Sequence, residues 1–201
     1  MRFSTISLSF LSLINLSSAA ATPVELAPPC GTTLYPTILQ QIYEDRPFKV
    51  FANNRNFYVS QEFDASGNVY NRTYQIVGFE KIPPGSYACQ LNVKFSAGYN
   101  IAASGTPTLN VKTLFNGDSN KIKSPNHWTW NKFYRGTSSP FGQGIFGTTT
   151  LTPGISSAIN RCPTGGGNLA FMFEIADRVL TDANVQFKQT DKGGLYLTYN
   201  C

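Results

Sequence analysis

The chain has 201 residues with 16 basic and 11 acidic side chains, a formal net charge of +5, and 13% charged residues. This length predicts one domain with a sizeable hydrophobic core. The basic residues are scattered, and Lys121 and Lys123 form the only close pair of lysines. Nucleic-acid-binding proteins usually cluster their cations on one face, so no nucleic-acid partner is expected, whereas mild attraction to an anionic polysaccharide or phosphate stays open.

The first 21 residues have the layout of a secretory signal peptide. Met1-Arg2 gives a positive start, an uncharged apolar stretch runs from Phe3 to Leu16, and small residues surround a cleavage site after Ala20 or Ala21. We therefore expect residues 1–21 to be removed and the protein to be extracellular, where disulfides persist. No second apolar run approaches membrane-spanning length, which predicts no membrane span.

A proline-rich tail precedes a series of predicted short strands. After Cys30, apolar and polar residues alternate with a period of two, and turn residues separate the runs. This pattern predicts that residues 22–201 form a single antiparallel β-sandwich or jelly roll with long loops. The expected inward-facing sets are Phe57, Val59 and Phe63; Leu91, Val93 and Phe95; Leu109, Val111 and Thr113; Leu169, Phe171, Phe173 and Ile175; and Leu195, Leu197 and Tyr199.

Two segments depart from the strand pattern. Thr37 to Tyr43 could form one or two helical turns, because Pro36 suits the first position of a helix. Residues 116–143 are polar and aromatic, and we expect a long loop that carries one short strand.

Four cysteines follow the leader, which in a secreted chain predicts two disulfides. Their wide spacing without a Cys-x-x-Cys motif argues against a zinc or redox site. Three pairings are possible, and we favour Cys30–Cys201 and Cys89–Cys162. The first joins the chain ends, which usually lie close together in a domain, and the second joins the starts of two core-facing strands.

Catalytic signatures are sparse. His127 is the one histidine and no Gly-x-Ser-x-Gly elbow accompanies it, so we interpret it as a loop residue and expect no metal or organic cofactor. Two carboxylates would suffice for a glycosidase. The candidates are Glu62 and Asp64, expected on one strand face, together with Glu80 and Glu174. Ordinary solvated carboxylates are the favoured interpretation.

Two further motifs bear on carbohydrate. In an extended strand Trp128 and Trp130 would share a face and, with Tyr134, could form a stacking platform for sugar rings. The favoured alternative places at least one tryptophan in the core. Asn71-Arg72-Thr73 is a complete glycosylation acceptor beside a predicted turn, so Asn71 is the expected glycan site.

Several short segments resemble the fungal But-two C-terminal domain family, named after the binding of an activating enzyme of a ubiquitin-like protein. The segments are Gly78-Phe79-Glu80-Lys81-Ile82-Pro83, Cys89-Gln90-Leu91-Asn92-Val93-Lys94-Phe95, Cys162-Pro163 with Gly165 to Gly167, Gly194-Leu195-Tyr196-Leu197 with Cys201, and Cys30 with Tyr35-Pro36. The resemblance implies a β-sandwich of secreted or surface proteins in filamentous fungi. It supplies no catalytic residues, and a cytosolic or nuclear partner does not agree with the leader.

The sequence therefore favours a non-enzymatic, secreted fungal β-sandwich protein that acts by surface binding, either associated with the cell wall or effector-like. The expected partners are a cell-wall polysaccharide or a host surface protein. The alternatives are a carbohydrate-binding module that uses Trp128, Trp130 and Tyr134, and a glycan hydrolase that uses two of the four carboxylates.

Processing of the secreted protein tests the leader and the sequon together. N-terminal sequencing of material from culture medium should begin at Ala21 or Thr22, and a deglycosylase should reduce the mass of the peptide that contains Asn71. Soluble cytosolic protein with Met1 intact would contradict the leader, and an unshifted peptide from secreted material would contradict the glycan.

Overall fold

The structure is a computed structural model in which residues 31–105, 108–136, 139–142, 144–163 and 165–201 are described. In this part of the chain every strand pairing is antiparallel, which confirms the predicted all-β fold. The strands are β1 (Thr32–Leu34), β2 (Ile38–Tyr43), β3 (Asn56–Phe63), β4 (Val69–Ile82), β5 (Gln90–Phe95), β6 (Ala102–Ser104), β7 (Thr108–Leu114), β8 (Gly147–Thr150), β9 (Ser156–Arg161), β10 (Gly167–Ile175), β11 (Ala183–Lys188) and β12 (Gly193–Tyr199).

The strands form two sheets around one core. The small sheet has the order β1-β12-β5-β9, and the large sheet has the order β6-β11-β3-β4-β10-β7-β8, with β2 paired to β4 outside this order. Alternate residues of both sheets point into the core between them, as expected for a sandwich. The predicted inward residues are buried there, except that Phe63 and Thr113 are half-buried.

A second apolar layer lies on the outer face of the large sheet. Its sheet side consists of Ile38, Ile42, Tyr74, Ile76, Leu114, Ala170 and Met172. Residues 115–136 and 139–142, which we name the covering segment, pack Ile122, Trp128, Trp130 and Phe133 against it. Because strands β2, β4 and β10 are thus buried on both faces, they consist mostly of apolar residues rather than of a simple alternation.

Two local predictions were wrong. Thr37 to Tyr43 contains strand β2 instead of a helical turn, because its backbone pairs with β4 from Gly78 to Thr73. The 116–143 region has no strand among its described residues; it contains a short 3₁₀ turn at Phe115–Gly117 and helix α1 at Trp130–Tyr134. The Thr129 hydroxyl caps α1 by accepting a hydrogen bond from the backbone N–H of Lys132 at 3.3 Å.

Strands β2 and β3 pair with the same edge of β4, and two buried glutamines lie where they diverge. Strand β3 pairs with Val69 to Thr73, and beyond this point β2 takes over the edge. The side chain of Gln75 is fully buried, and its Oε1 accepts hydrogen bonds from the Tyr58 backbone N–H at 3.1 Å and from Gln41 Nε2 at 3.0 Å. Gln41 Nε2 also donates to the Asn56 carbonyl at 2.7 Å. These amides, which we name the glutamine fork, replace ladder bonds that β3 loses as it leaves β4.

One of the two predicted disulfides is confirmed. Cys89 and Cys162 are bonded, with their Cα atoms 5.1 Å apart, and join the residue before β5 to the residue after β9. Cys201 is also disulfide-bonded. Its predicted partner Cys30 and the predicted leader lie outside the described residues, so the Cys30–Cys201 pairing and the cleavage site stay predictions.

Removing the fork amide at position 75 should destabilise the fold. Gln75→Met keeps the side-chain length but leaves the buried Tyr58 N–H and a Gln41 N–H without their acceptor. Each orphaned donor costs about 1–3 kcal/mol, so the loss of two acceptors should lower the free energy of unfolding in urea by about 2–6 kcal/mol. Gln90→Met is the control, since the half-buried Gln90 side chain makes no hydrogen bond within the described part of the chain. Equal stability of the two variants would contradict the fork.

Candidate functional site

A cleft opens within the covering segment on the outer side of the large sheet. Its volume is about 360 Å³ and all of its lining residues belong to the covering segment. We name it the cationic cleft. It is lined by Phe115, Asn120, Lys121, Lys123, Pro125, Asn126, His127, Trp128, Lys132, Phe133 and Pro140.

Positive charge dominates this lining. Lys121, Lys123 and Lys132 contribute three ammonium groups, His127 adds an exposed imidazole, and none of the described lining residues is a carboxylate. Only Lys121 has an acidic neighbour, with its Nζ 3.6 Å from Asp118 Oδ2, and this pair is largely exposed. Within the described residues, Lys123 and Lys132 make no ion pair. The cleft therefore has a positive local potential, because close cations with few counter-charges reinforce one another, and such a potential attracts anions.

Aromatic rings form the wall behind these cations. The Phe115 ring centroid lies 5.7 Å from that of Trp128 and 6.0 Å from that of Phe133. Phe115 and Asn116 have positive φ angles of 55° and 49°, a conformation that bulky residues rarely adopt. The backbone N–H of Phe115 donates to the Pro140 carbonyl at 2.6 Å, which ties the two ends of the covering segment together. Such strain clusters at binding sites, where the surrounding contacts maintain it.

The predicted tryptophan platform is not formed. Trp128 and Trp130 are only 7% and 6% exposed, and Trp130 begins α1, so the two rings do not extend from one strand face. Trp130 stacks on Tyr134 with ring centroids 4.5 Å apart, and Tyr134 retains 39% exposure. The expectation that at least one tryptophan is in the core is confirmed for both.

A neighbouring loop extends the basic surface. A cavity of about 330 Å³ separates the covering segment from the β2–β3 loop and shares His127 with the cationic cleft. The loop places the cations of Arg46 and Lys49 5.1 and 4.9 Å from the ring centroid of Phe51, and Phe48 is 73% exposed beside them. Basic and aromatic side chains thus continue along this side of the molecule.

Charged contacts hold the covering segment on the sheet. Arg72 binds Glu44 through two hydrogen bonds of 2.9 and 2.7 Å, and the guanidinium carbon lies 5.1 Å from the ring centroid of Trp130. The hydrogen bonds from Arg72 lower the pKa of the Glu44 carboxyl. Arg72 therefore links strand β4 to Glu44 at the end of β2 and to Trp130 of helix α1.

A second charged pair is more deeply buried. Glu174 of β10 lies 2.6 Å from Lys112 Nζ of β7, and the same ammonium lies 5.6 Å from the Phe141 ring centroid. Burial raises the pKa of Glu174 although Lys112 opposes the shift. Burial, assisted by the negative charge of Glu174, raises the pKa of the nearby Tyr74 to about 12. The side chains of this cluster contact each other and the covering segment, and none of them lines the cationic cleft.

The four candidate carboxylates each have different hydrogen-bond or ion-pair partners. Asp64 lies in the turn after β3 rather than on the strand, where it accepts backbone hydrogen bonds from Ser66 and Asn68 at 2.8 Å, and those from Asn68 are the main cause of its lowered pKa. Its carboxyl is therefore a poor proton donor. Glu62 is aligned with Tyr70 near the start of β4. Glu80 lies ten residues further along β4, a distance of about 30 Å at the usual strand rise.

The remaining acids are each engaged separately. Glu80 accepts hydrogen bonds from the Thr37 hydroxyl at 2.7 Å and from the Ser124 N–H at 3.2 Å, which fixes the covering segment. Glu174 lies in the buried cluster beneath that segment. A glycosidase needs two carboxylates that face a substrate, whereas Asp64, Glu80 and Glu174 are each engaged by contacts within the fold.

Asn71 lies at an irregularity in the β3–β4 pairing. It has a positive φ of 50°, and its Nδ2 donates to Glu62 at 2.8 Å. This nitrogen would carry the glycan, so glycosylation would alter the contact with Glu62. Occupancy of Asn71 stays a prediction.

No group of three or more His, Cys, Asp or Glu side chains in the described ranges is arranged to hold a metal ion. None of the helices in the same part of the chain is long and apolar enough to cross a membrane. Neither a protein-family model nor a curated protein matches this sequence. The resemblance to the But-two C-terminal domain family therefore rests on the short motifs alone.

The phenol of Tyr74 should make stability fall at high pH. Its folded-state pKa of about 12 exceeds the ordinary value of 10.0, so the folded state holds the proton more tightly than the unfolded state. Stability from this group is complete below pH 10 and is lost as the pH rises towards 12, by about 2 kcal/mol at 1.36 kcal/mol per pKa unit. Urea denaturation between pH 9 and 12 should show this additional fall in the wild type but not in Tyr74→Phe. Parallel pH profiles would contradict it.

Proposed function

We propose that this chain is a secreted, non-enzymatic β-sandwich protein that binds an anionic polymer of a cell surface in the cationic cleft. The observation that carries the proposal is the cleft lining, in which three lysines and a histidine surround an aromatic wall without a carboxylate. The predicted leader, the expected fungal source and the resemblance to a family of secreted proteins support the location at a cell wall.

The ligand chemistry follows from the two components of the cleft. The lysines attract a carboxylate or phosphate through flexible, strongly hydrated ammonium groups, which suits recognition of charge more than of one fixed geometry. The half-buried ring of Phe115 offers apolar surface for the ring of a sugar unit. An acidic or phosphate-bearing polysaccharide combines both features. A host surface protein with an acidic patch is the competing partner.

Binding is favoured over carboxylate-based catalysis because no described carboxylate lines the cleft. It holds one histidine and three lysines but no carboxylate to orient or complement them. The buried acid Glu174 is paired with Lys112 beneath the covering segment. General acid–base catalysis requires a proton-transfer group within hydrogen-bond reach of a substrate, a requirement that these buried groups do not meet.

Charge removal tests the cleft. We expect the triple variant Lys121→Gln, Lys123→Gln, Lys132→Gln to bind immobilised polygalacturonate or a phosphorylated mannan about tenfold more weakly than the wild type, since three ion pairs of up to 1 kcal/mol each are lost. The remaining affinity should also depend less on salt. Comparison of the two polymers separates carboxylate from phosphate recognition, and unphosphorylated mannan is the uncharged reference.

The matched control removes the same charge elsewhere. Lys81, Arg161 and Lys192 are exposed and do not line the cleft, so their triple replacement by glutamine should change affinity little. Equal losses in both triple variants would mean that net charge alone causes binding and would refute the cleft. If neither polymer binds but an acidic host protein does, the polysaccharide proposal fails.

A further inference from the structure

A second, chemically different cavity lies where strands β3 and β11 of the large sheet meet the residues around the start of β6. Its volume is about 430 Å³, within the range of about 300–1,000 Å³ that is usual for ligand pockets. We name it the amide cavity. Its polar lining consists of Asn56, Tyr99, Asn100, Gln186, Lys188 and Thr190, and none of these residues lines the cationic cleft.

Three exposed amides converge on this cavity. Asn56 begins β3, Gln186 lies on β11, and Asn100 precedes β6; the register aligns Asn56 with Lys188 and Gln186 with Ala102. The side chains of the three amides make no hydrogen bond within the part of the chain that the structure describes. Each amide offers two donors and one acceptor, a set that matches the hydroxyl groups of a sugar. Water occupies these groups in solution, and ligand hydroxyls can replace it.

Tyr99 forms a rigid aromatic wall beside the amides. Its hydroxyl donates to the Lys188 carbonyl and lies 3.0 Å from the Thr190 hydroxyl, and its ring centroid is 5.3 Å from that of Phe95. Position 193 must be glycine for this arrangement, because a Cβ there would lie 2.5 Å from Tyr99 Cε2. The ring is therefore held in place before any ligand arrives, which reduces the entropy cost of binding.

The cavity continues into a neighbour and has little net charge. A cavity of about 440 Å³ shares Lys188 and Thr190 with it and adds Tyr35, Arg55 and Asp191. The charges of Arg55 and Asp191 are opposite, and Lys188 is the remaining cation of the two linings. An extended ligand can thus pass from Tyr99 to Tyr35 across the ridge formed by Lys188 and Thr190. The three exposed amides outnumber this one uncompensated cation, which favours a neutral, polyhydroxyl ligand over an anion.

From this geometry we infer a second binding site, in which a neutral oligosaccharide spans the amide cavity and its neighbour. The site does not depend on the cationic cleft. It places sugar recognition on Tyr99, Asn100 and Gln186 rather than on the buried pair Trp128 and Trp130. A protein with both sites can bind a neutral glycan chain and an anionic polymer of the same wall at once.

The test titrates the full secreted protein with laminarihexaose, chitohexaose and a linear mannohexaose. At least one hexamer should shift the side-chain amide signals of Asn56, Asn100 and Gln186 in nitrogen–proton NMR spectra, and isothermal calorimetry should give its affinity. The variant Asn100→Ala, Gln186→Ala should bind that hexamer about tenfold more weakly, the effect of losing a few neutral hydrogen bonds. Both side chains are exposed, so its thermal stability should match that of the wild type.

Two controls make the outcome specific. Gln90→Ala, Asn131→Ala removes the same two amide types from half-buried positions outside both cavities and should retain full affinity. The triple lysine variant of the cationic cleft should also bind the hexamer normally, so failure of one site leaves the other testable. The inference is overturned if no hexamer binds at millimolar concentration, if the Asn100, Gln186 variant binds as well as the wild type, or if the lysine variant loses hexamer binding.

Discussion

The glutamine fork is the interaction on which the arrangement of the large sheet depends. A strand edge offers one row of backbone donors and acceptors, so two strands can share it only if something satisfies the groups where they diverge. The amides of Gln41 and Gln75 do this with hydrogen bonds of 2.7–3.1 Å to the Tyr58 N–H, the Asn56 carbonyl and each other. A buried polar network of this kind stabilises a fold only when its members are satisfied.

The divergence at the fork gives the two parts of the large sheet different surroundings. Strand β2 continues along β4 beneath the covering segment, which carries the cationic cleft. Strand β3 turns to β11 and β6, where the amide cavity opens. The β2 side of the sheet is therefore buried on both faces, and the cationic cleft lies in the covering segment above it. The β3 side presents side chains of its own strands to solvent in the amide cavity.

The covering segment is held by contacts that are costly to break. Removing one partner of a buried ion pair leaves an uncompensated charge, so Arg72 with Glu44 and Lys112 with Glu174 restrain the segment even where their net contribution to stability is small. The lysines of the cleft lie outside these pairs. Charge used for structure and charge available to a ligand are thus separated in space, and this separation keeps the cleft positive.

The sequence by itself determined the sandwich, because strict alternation over short turn-bounded runs is compatible with one buried face per strand, and it also supported the Cys89–Cys162 pairing. Only the tertiary structure decided the strand at Thr37 to Tyr43, the helix at Trp130 and the burial of both tryptophans. These depend on partners far away along the chain: a β4 edge for β2 and an apolar sheet face for the covering segment. The same reason applies to the amide cavity, whose amides converge only when β3, β11 and the residues before β6 are brought together. The lysines of the cationic cleft are close in sequence, and the packing of their one segment on the sheet forms the cleft.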